Sequence, residues 1–141
     1  MSVPAALGAI AEDFHAVPES ERLNLLLEFS GELPDLPPRF ADHPELLEPV
    51  TECQSPISIV VEAGESGVQV FASAPPEAPT TRGFASILIQ GLQGSTPEAV
   101  LSVPADFPHS LGLTKLVSPL RLRGMAGMLS RIKRQVAEQT S

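Results

Sequence analysis

Prolines at positions 34, 37, 38, 44 and 49 place the tightest limit on what this chain can fold into. Each removes a backbone donor and biases the preceding residue away from helical geometry, so residues 32–50 can form neither one long helix nor an interior strand. We read this stretch as an ordered loop with one helical turn near Arg39. Regular structure must therefore lie on either side of it.

On the N-terminal side, Leu7 and Ile10 are three apart among alanines, which predicts a short helix over residues 4–14, weakened by Gly8. A better-marked helix follows over residues 18–30. Pro18 opens it, Leu23, Leu26 and Leu27 fall at helical spacing, and Gly31 stops it. Beyond the loop the period changes from helix to strand. Ile57, Ile59 and Val61 alternate with Ser58, Val60 and Glu62, then Val68, Val70 and Ala72 with Gln69, Phe71 and Ser73. Ala63 to Gly67 supply turn residues between the two runs, which predicts an antiparallel hairpin. A lone hairpin is marginal, so a third strand or a helical cover is needed.

Ser73 to Pro79 breaks the pattern, and Thr80 or Thr81 is placed to cap a helix running to Leu92. Thr96-Pro97-Glu98 opens a short helix ending near Ser102. Ser118 and Pro119 open the strongest one, over residues 119–138, with Leu122, Met125, Leu129, Ile132 and Val136 on one face. Strands segregated from helices give an α+β fold, a small antiparallel sheet packed against several helices. The 141 residues, 43% of them hydrophobic, suit one domain spanning 1–141.

Charge and composition narrow the function. There is no apolar run of about 18 residues, and the start MSVPAALGAIAEDFH is too short and too acidic for a signal peptide. We therefore expect a soluble cytoplasmic protein with no membrane role. The net charge of −8 argues against nucleic acid. Residues 1–106 carry three basic and sixteen acidic side chains, residues 107–141 six and one. That polarity suits either oriented docking to a partner or a solvated helix face. One cysteine with His15, His43 and His109 makes no metal-ligand spacing. No nucleotide loop or Ser/His/Asp arrangement is present, and Lys115 and Lys133, the only lysines, are poorly placed for pyridoxal phosphate. No cofactor is expected.

Cys53 stands in VTECQSPISIVV, directly before the first predicted strand. A free cysteine is often a small buried hydrophobe, but Glu52, Gln54 and Ser55 are polar flanks, so both a structural and a reactive thiol remain open. Arg121 lies in the first turn of the last helix, where free amides and the helix dipole favour an anion. It serves either that role or the binding of a nearby acid or carbonyl. Arg123, Arg131, Lys133 and Arg134 read as solvated helix face. His109 reads as a surface loop residue, and Met125 and Met128 as core filling.

ECQSPISIVV resembles the GCQS motif and following strand of the SufE family, the sulfur-acceptor partners of the cysteine desulfurase SufS. LNLLLEFSGELPDLPP resembles that family's helix and Leu-Pro loop, and FPHSLGLTKLVSPLRLRGMAGML its LGL and SRxxGL run. The resemblance implies a SufE/IscU-like fold and a non-catalytic activator in which Cys53 is the acceptor of a persulfide sulfur. Gln54 and Ser55 complete the motif, Leu111-Gly112-Leu113 is the LGL, and Arg121 and Gly124 match the arginine and glycine. Arg121 would steady the region or the persulfide. The implied partners are a SufS-type desulfurase, whose own cofactor is pyridoxal phosphate, and a SufBCD-like iron–sulfur assembly scaffold.

Several positions depart from the pattern. Glu52 replaces a glycine, Ser58 a common tryptophan and Leu120 a serine, while Pro76-Glu77-Ala78 stands where Ser-Asp-Ala is frequent ahead of Arg82-Gly83. A carboxylate beside the thiol disfavours the thiolate if it points inward. The resemblance also implies a partly sheltered cysteine whose loop moves on docking.

Overall fold

The computed structural model describes residues 3–140. Two helices come first, α1 (Ala5–Ala16) and α2 (Glu19–Ser30), each entered through a proline, Pro4 and Pro18. The proline-rich stretch then forms a single turn α3 (Pro38–Ala41), a 3-10 turn at Pro44–Leu46 and a two-residue strand β1 (Glu48–Pro49). Arg39 falls within α3, as the spacing of the prolines allows.

β2 (Ser58–Gly64) and β3 (Gly67–Ser73) form the expected hairpin, with Ser58 opposite Ser73 and Gly64 opposite Gly67. The connection is tighter than the five turn residues suggest, only Glu65 and Ser66. Gly67 has φ of +106°, a backbone state that L side chains rarely adopt, and a Cβ there would sit 2.7 Å from the Gly94 carbonyl oxygen. The third strand that the hairpin requires is β1, which pairs antiparallel with β2 through Glu48 opposite Ile59 and Pro49 opposite Ser58.

α4 (Pro79–Leu92), α5 (Pro97–Leu101) and α6 (Pro119–Thr140) complete the chain. Thr96 caps α5 by accepting the Ala99 N–H, and Ser118 Oγ accepts the Arg121 N–H at the start of α6. The start of α4 differs from the sequence reading. Pro79 takes the first helical position after Ala78, so neither threonine is the cap. A proline at this position is pre-set for helix and lacks the amide that would need a partner. Thr81 is instead buried.

α6 lies against β2 and α4 against β3, and α1 and α2 cover the far side of α4. Ile59, Val61, Val68, Val70 and Ala72 turn inward to meet Phe84, Leu88, Met125, Leu129 and Ile132 in one hydrophobic core. Gly83 and Gly91 let α4 approach its neighbours. A Cβ on the first would meet the Leu26 carbonyl at 2.6 Å, and one on the second would meet Leu7 Cα at 2.9 Å.

The sheet edges are closed by amide side chains. Gln135 Oε1 accepts the Val61 N–H at 2.8 Å, Gln139 Oε1 accepts the Ala63 N–H at 2.7 Å, and Gln139 Nε2 donates to the Val61 carbonyl. Across the sheet, Gln93 Oε1 accepts the Val70 N–H, and Val68 exchanges backbone bonds with Gly94 and Ser95. Exposed strand edges are otherwise templates for pairing with other chains.

Candidate functional site

Cys53 sits at the tip of the loop that joins β1 to β2. Val50 N–H to the Ile57 carbonyl, 2.9 Å, closes the neck of this loop, and Cys53 N–H turns back to the Val50 carbonyl at 3.2 Å. The tip lies on α6 at two glycines one helical turn apart. A Cβ on Gly124 would be 2.9 Å from Cys53 Sγ, and a Cβ on Gly127 would be 2.9 Å from the Glu52 carboxyl carbon. These two positions share a helix face, and their lack of side chains makes the groove that holds the loop. RGMAGML carries this groove as Gly-x-x-Gly on an apolar face, of which the family motif marks Gly124 but not Gly127.

The thiol is half-buried and opens on a pocket of about 30 Å³, room for roughly one water-sized guest. Cys53, Gln54 and Ser55 line it from the loop, Leu120, Arg121, Gly124 and Met128 from α6, and Thr80, Thr81 and Phe84 from the start of α4. The four side chains singled out in the sequence thus meet at one place, although Arg121 is far from the others in the chain. Gln54 and Arg121 are exposed and Ser55 is partly covered. Among the described residues no acid or carbonyl pairs with the Arg121 guanidinium. It stands at the pocket mouth as an uncommitted cation. Met125 and Met128 are wholly buried, and Met128 also lines the pocket.

Burial pushes the Cys53 thiol up to about 11, the neighbouring Glu52 carboxylate adds to the rise, and the Arg131 guanidinium opposes it. A thiol in this setting is protonated near neutrality and weakly nucleophilic. Glu52 is turned onto α6 and ion-paired with Arg131 at 2.7 Å, and the hydrogen bond from Arg131 holds its carboxyl below the usual range.

Arg123 and Arg134 are exposed, as the sequence suggested, whereas Arg131 and Lys133 are partly covered and committed to partners. Arg131 Nη1 donates to the Gly127 carbonyl, Nη2 donates to Thr51 Oγ1, and Nε lies 3.4 Å from Glu48 without hydrogen-bond geometry. Arg134 pairs with Glu48 and Glu138, and Lys133 donates to the Val103 carbonyl at 2.6 Å. For Glu48, burial raises the carboxyl, but hydrogen bonds from Arg134 and Gln135 and the charges of both arginines outweigh it. Apart from Gly127 and Glu138, one helical turn away on α6, these partners lie in distant segments that periodicity could not reveal. The C-terminal basic side chains that remain exposed are Lys115, Arg121, Arg123 and Arg134, the last of them ion-paired.

The remaining motif residues have other roles. Leu111 and Leu113 are fully buried, and Gly112 turns left-handed between them at φ of +71°. Arg22 Nη1 donates to the Gly112 carbonyl, and His15 Nε2 donates to that of Ser110. Arg82 ties the Ser30 and Ala74 carbonyls together, which fixes the approach to α4. His109 is exposed, and His43 pairs with Glu45. Among the described residues, no three His, Cys, Asp or Glu side chains converge as a metal site, and no helix is long and apolar enough to cross a membrane.

Fold and site together define a small α+β protein organised around one loop-borne cysteine held against a glycine groove. The chain belongs to the SufE family, whose model, described as an Fe-S metabolism associated domain, matches residues 8–136. Iron–sulfur metabolism is the process with which that family is associated. Two uncharacterized SufE-like proteins of Mycobacterium tuberculosis, from strains CDC 1551 / Oshkosh and H37Rv, are each 51% identical over 138 residues, covering 97% of this chain and 95% of theirs. A SufE-like protein 1, chloroplastic/mitochondrial, of Arabidopsis thaliana is 27% identical over 133 residues, 94% of this chain and 35% of that protein. The solution structure of a hypothetical protein from Thermus thermophilus superposes with a TM-score of 0.86 at 38% identity, covering 97% of each chain.

Proposed function

We propose that this chain is the sulfur acceptor and activator of a SufS-type cysteine desulfurase, and that Cys53 carries the sulfur to a SufBCD-type iron–sulfur assembly scaffold. The observation that carries the reading is the convergence of Cys53, Gln54, Ser55 and Arg121 on one small pocket, from two separated segments that both match the family's pattern. The Cys53 thiolate attacks the outer sulfur of the desulfurase persulfide. A new S–S bond forms on Cys53, the bond to the desulfurase cysteine breaks, and that cysteine leaves as a thiolate that takes up the proton Cys53 gave up. No net oxidation occurs. The pocket has space for one additional sulfur atom beyond Sγ, and Arg121 at its mouth supplies a cation for an anionic persulfide. Having a single cysteine precludes an internal disulfide that would expel the sulfur. Pyridoxal phosphate belongs to the desulfurase, and the protein acts in the cytoplasm.

Intact-mass spectrometry after brief incubation with a cysteine desulfurase of the same organism and free cysteine tests this. Adducts of about 32 Da per sulfur are expected on the wild type, removed by reductant and absent from Cys53→Ser. A Cys53→Ser protein that still accelerates the desulfurase as well as wild type refutes the relay.

A further inference from the structure

Loop and helix are fastened together at one point. Glu52 Oε1 pairs with Arg131 Nη1 at 2.7 Å, and Arg131 Nη2 donates to Thr51 Oγ1 at 3.3 Å. Arg131 is itself immobilised by the Gly127 carbonyl and by Glu48, and its side chain is only 16% exposed. Among the described residues, the side chains of Cys53, Gln54 and Ser55 make no hydrogen bond. The loop tip is therefore held to α6 by the residues just before the cysteine and by the fit of Sγ on Gly124.

We propose that Glu52 and Arg131 are positioning residues that form a latch, keeping the Cys53 loop seated with its thiol sheltered until release of the pair lets the loop rise. The inference rests on Cys53 being the sulfur carrier, and it adds how the carrier is kept unreactive between encounters. In the seated state Glu52 acts twice, as a mechanical tie and as a negative charge beside the thiol. Arg131 is the informative partner because its two effects oppose each other. As a nearby cation in a fixed loop it favours the thiolate, so removing it would slow reaction. As the anchor of a latch it restrains the loop, so removing it speeds reaction.

The test is the reaction of Cys53 with the neutral disulfide 4,4′-dithiodipyridine, with no desulfurase present. Cys53 is the only thiol, so the release of thiopyridone reports on this site alone. A partly exposed ion pair of this kind sets the seated population, and its loss is expected to raise the rate about two- to fivefold. Arg131→Gln should show that rise, and Glu52→Gln the same, with no further gain when the two are combined. Gly127→Ala keeps both charges but places a methyl against the Glu52 carboxylate, and it too should accelerate the reaction.

The pH profile gives an independent sign. The charged groups facing Cys53 are Glu52 on the loop and Arg121 and Arg131 on α6, while α4 contributes only Thr80, Thr81 and Phe84. An opened loop moves the pH at which the rate levels off down toward that of a free thiol; a fixed loop deprived of Arg131 moves it up. With thermal melts showing each variant folded, a slower or unchanged rate in Arg131→Gln overturns the latch. So does a Gly127→Ala rate equal to wild type. Neither result touches the relay, which stands or falls on the desulfurase assay with Cys53→Ser.

Discussion

Unfolding the chain should make Cys53 more reactive by an amount that follows from its surroundings. The thiol's ordinary value of 9.0 rises to about 11 in the fold, chiefly through burial and then through Glu52. At about pH 8 the folded chain therefore holds roughly a hundredfold less thiolate than the unfolded one. A more basic thiolate is also a better nucleophile, and with a Brønsted slope of about 0.4–0.5 those two units return roughly eightfold. The net expectation is a folded-state rate about tenfold below that of the urea-unfolded chain, before any further slowing by obstruction of the probe. The assay is initial-rate absorbance with 4,4′-dithiodipyridine from about pH 7 to 10. The unfolded chain should level off near its ordinary value, while the folded chain keeps rising about tenfold per pH unit. A folded rate equal to or above the unfolded rate, or a plateau below about pH 9 in the folded chain, refutes the picture of a thiol suppressed by burial. Linkage runs the same way. A thiol raised in the fold binds its proton more tightly when folded, so stability is lost as pH climbs from 9.0 toward 11.

Gly124→Ala places a methyl 2.9 Å from Sγ, so the loop must lift. The helix gains about 0.5–1 kcal/mol from alanine, which offsets much of the overpacking, and we expect a melting temperature within a few degrees of wild type with a faster thiol reaction; an unchanged rate counts against the groove. On the acid side, Glu48 and Glu52 titrate below their ordinary 4.5, so their contribution to stability is present above that value and is lost as pH falls through their lower folded values. Denaturant titrations across pH 3 to 6 should show that loss, and the double variant Glu48→Gln/Glu52→Gln should flatten it; equal slopes in both proteins would exclude these two carboxylates as its source.

What the sequence disclosed was local chemistry. Pro97 and Pro119 announce helix starts because a proline at the first turn and a hydroxyl before it act within a few residues. The hairpin was legible because period-two alternation is a property of each strand by itself. β1 was not, since two residues have no period and Glu48 is defined as strand only by Ile59 across the sheet. The same holds at the site. Cys53 and Arg121 were marked by short motifs, but the fate of Arg131 depends on Glu48 and Glu52, some eighty residues earlier. Thr80 and Thr81 misled because a hydroxyl after a proline satisfies a cap pattern, whereas here Pro79 already occupies the first turn. Gly127 was visible as spacing, but its meaning required knowing which loop lies over it.

The glutamines on the sheet edges limit how another macromolecule can take hold of this one. With the Val61, Ala63 and Val70 amides already satisfied, a visiting peptide finds those edge donors taken if it lies alongside β2 or the middle of β3 as an added strand. That leaves side chains on helices and loops as the accessible features, among them the Cys53 tip, Leu120 and Arg121, which share one surface. On that surface the thiol is reached sideways across α6 rather than end-on along the sheet, and Gln135 and Gln139 tie α6 to the strand beneath.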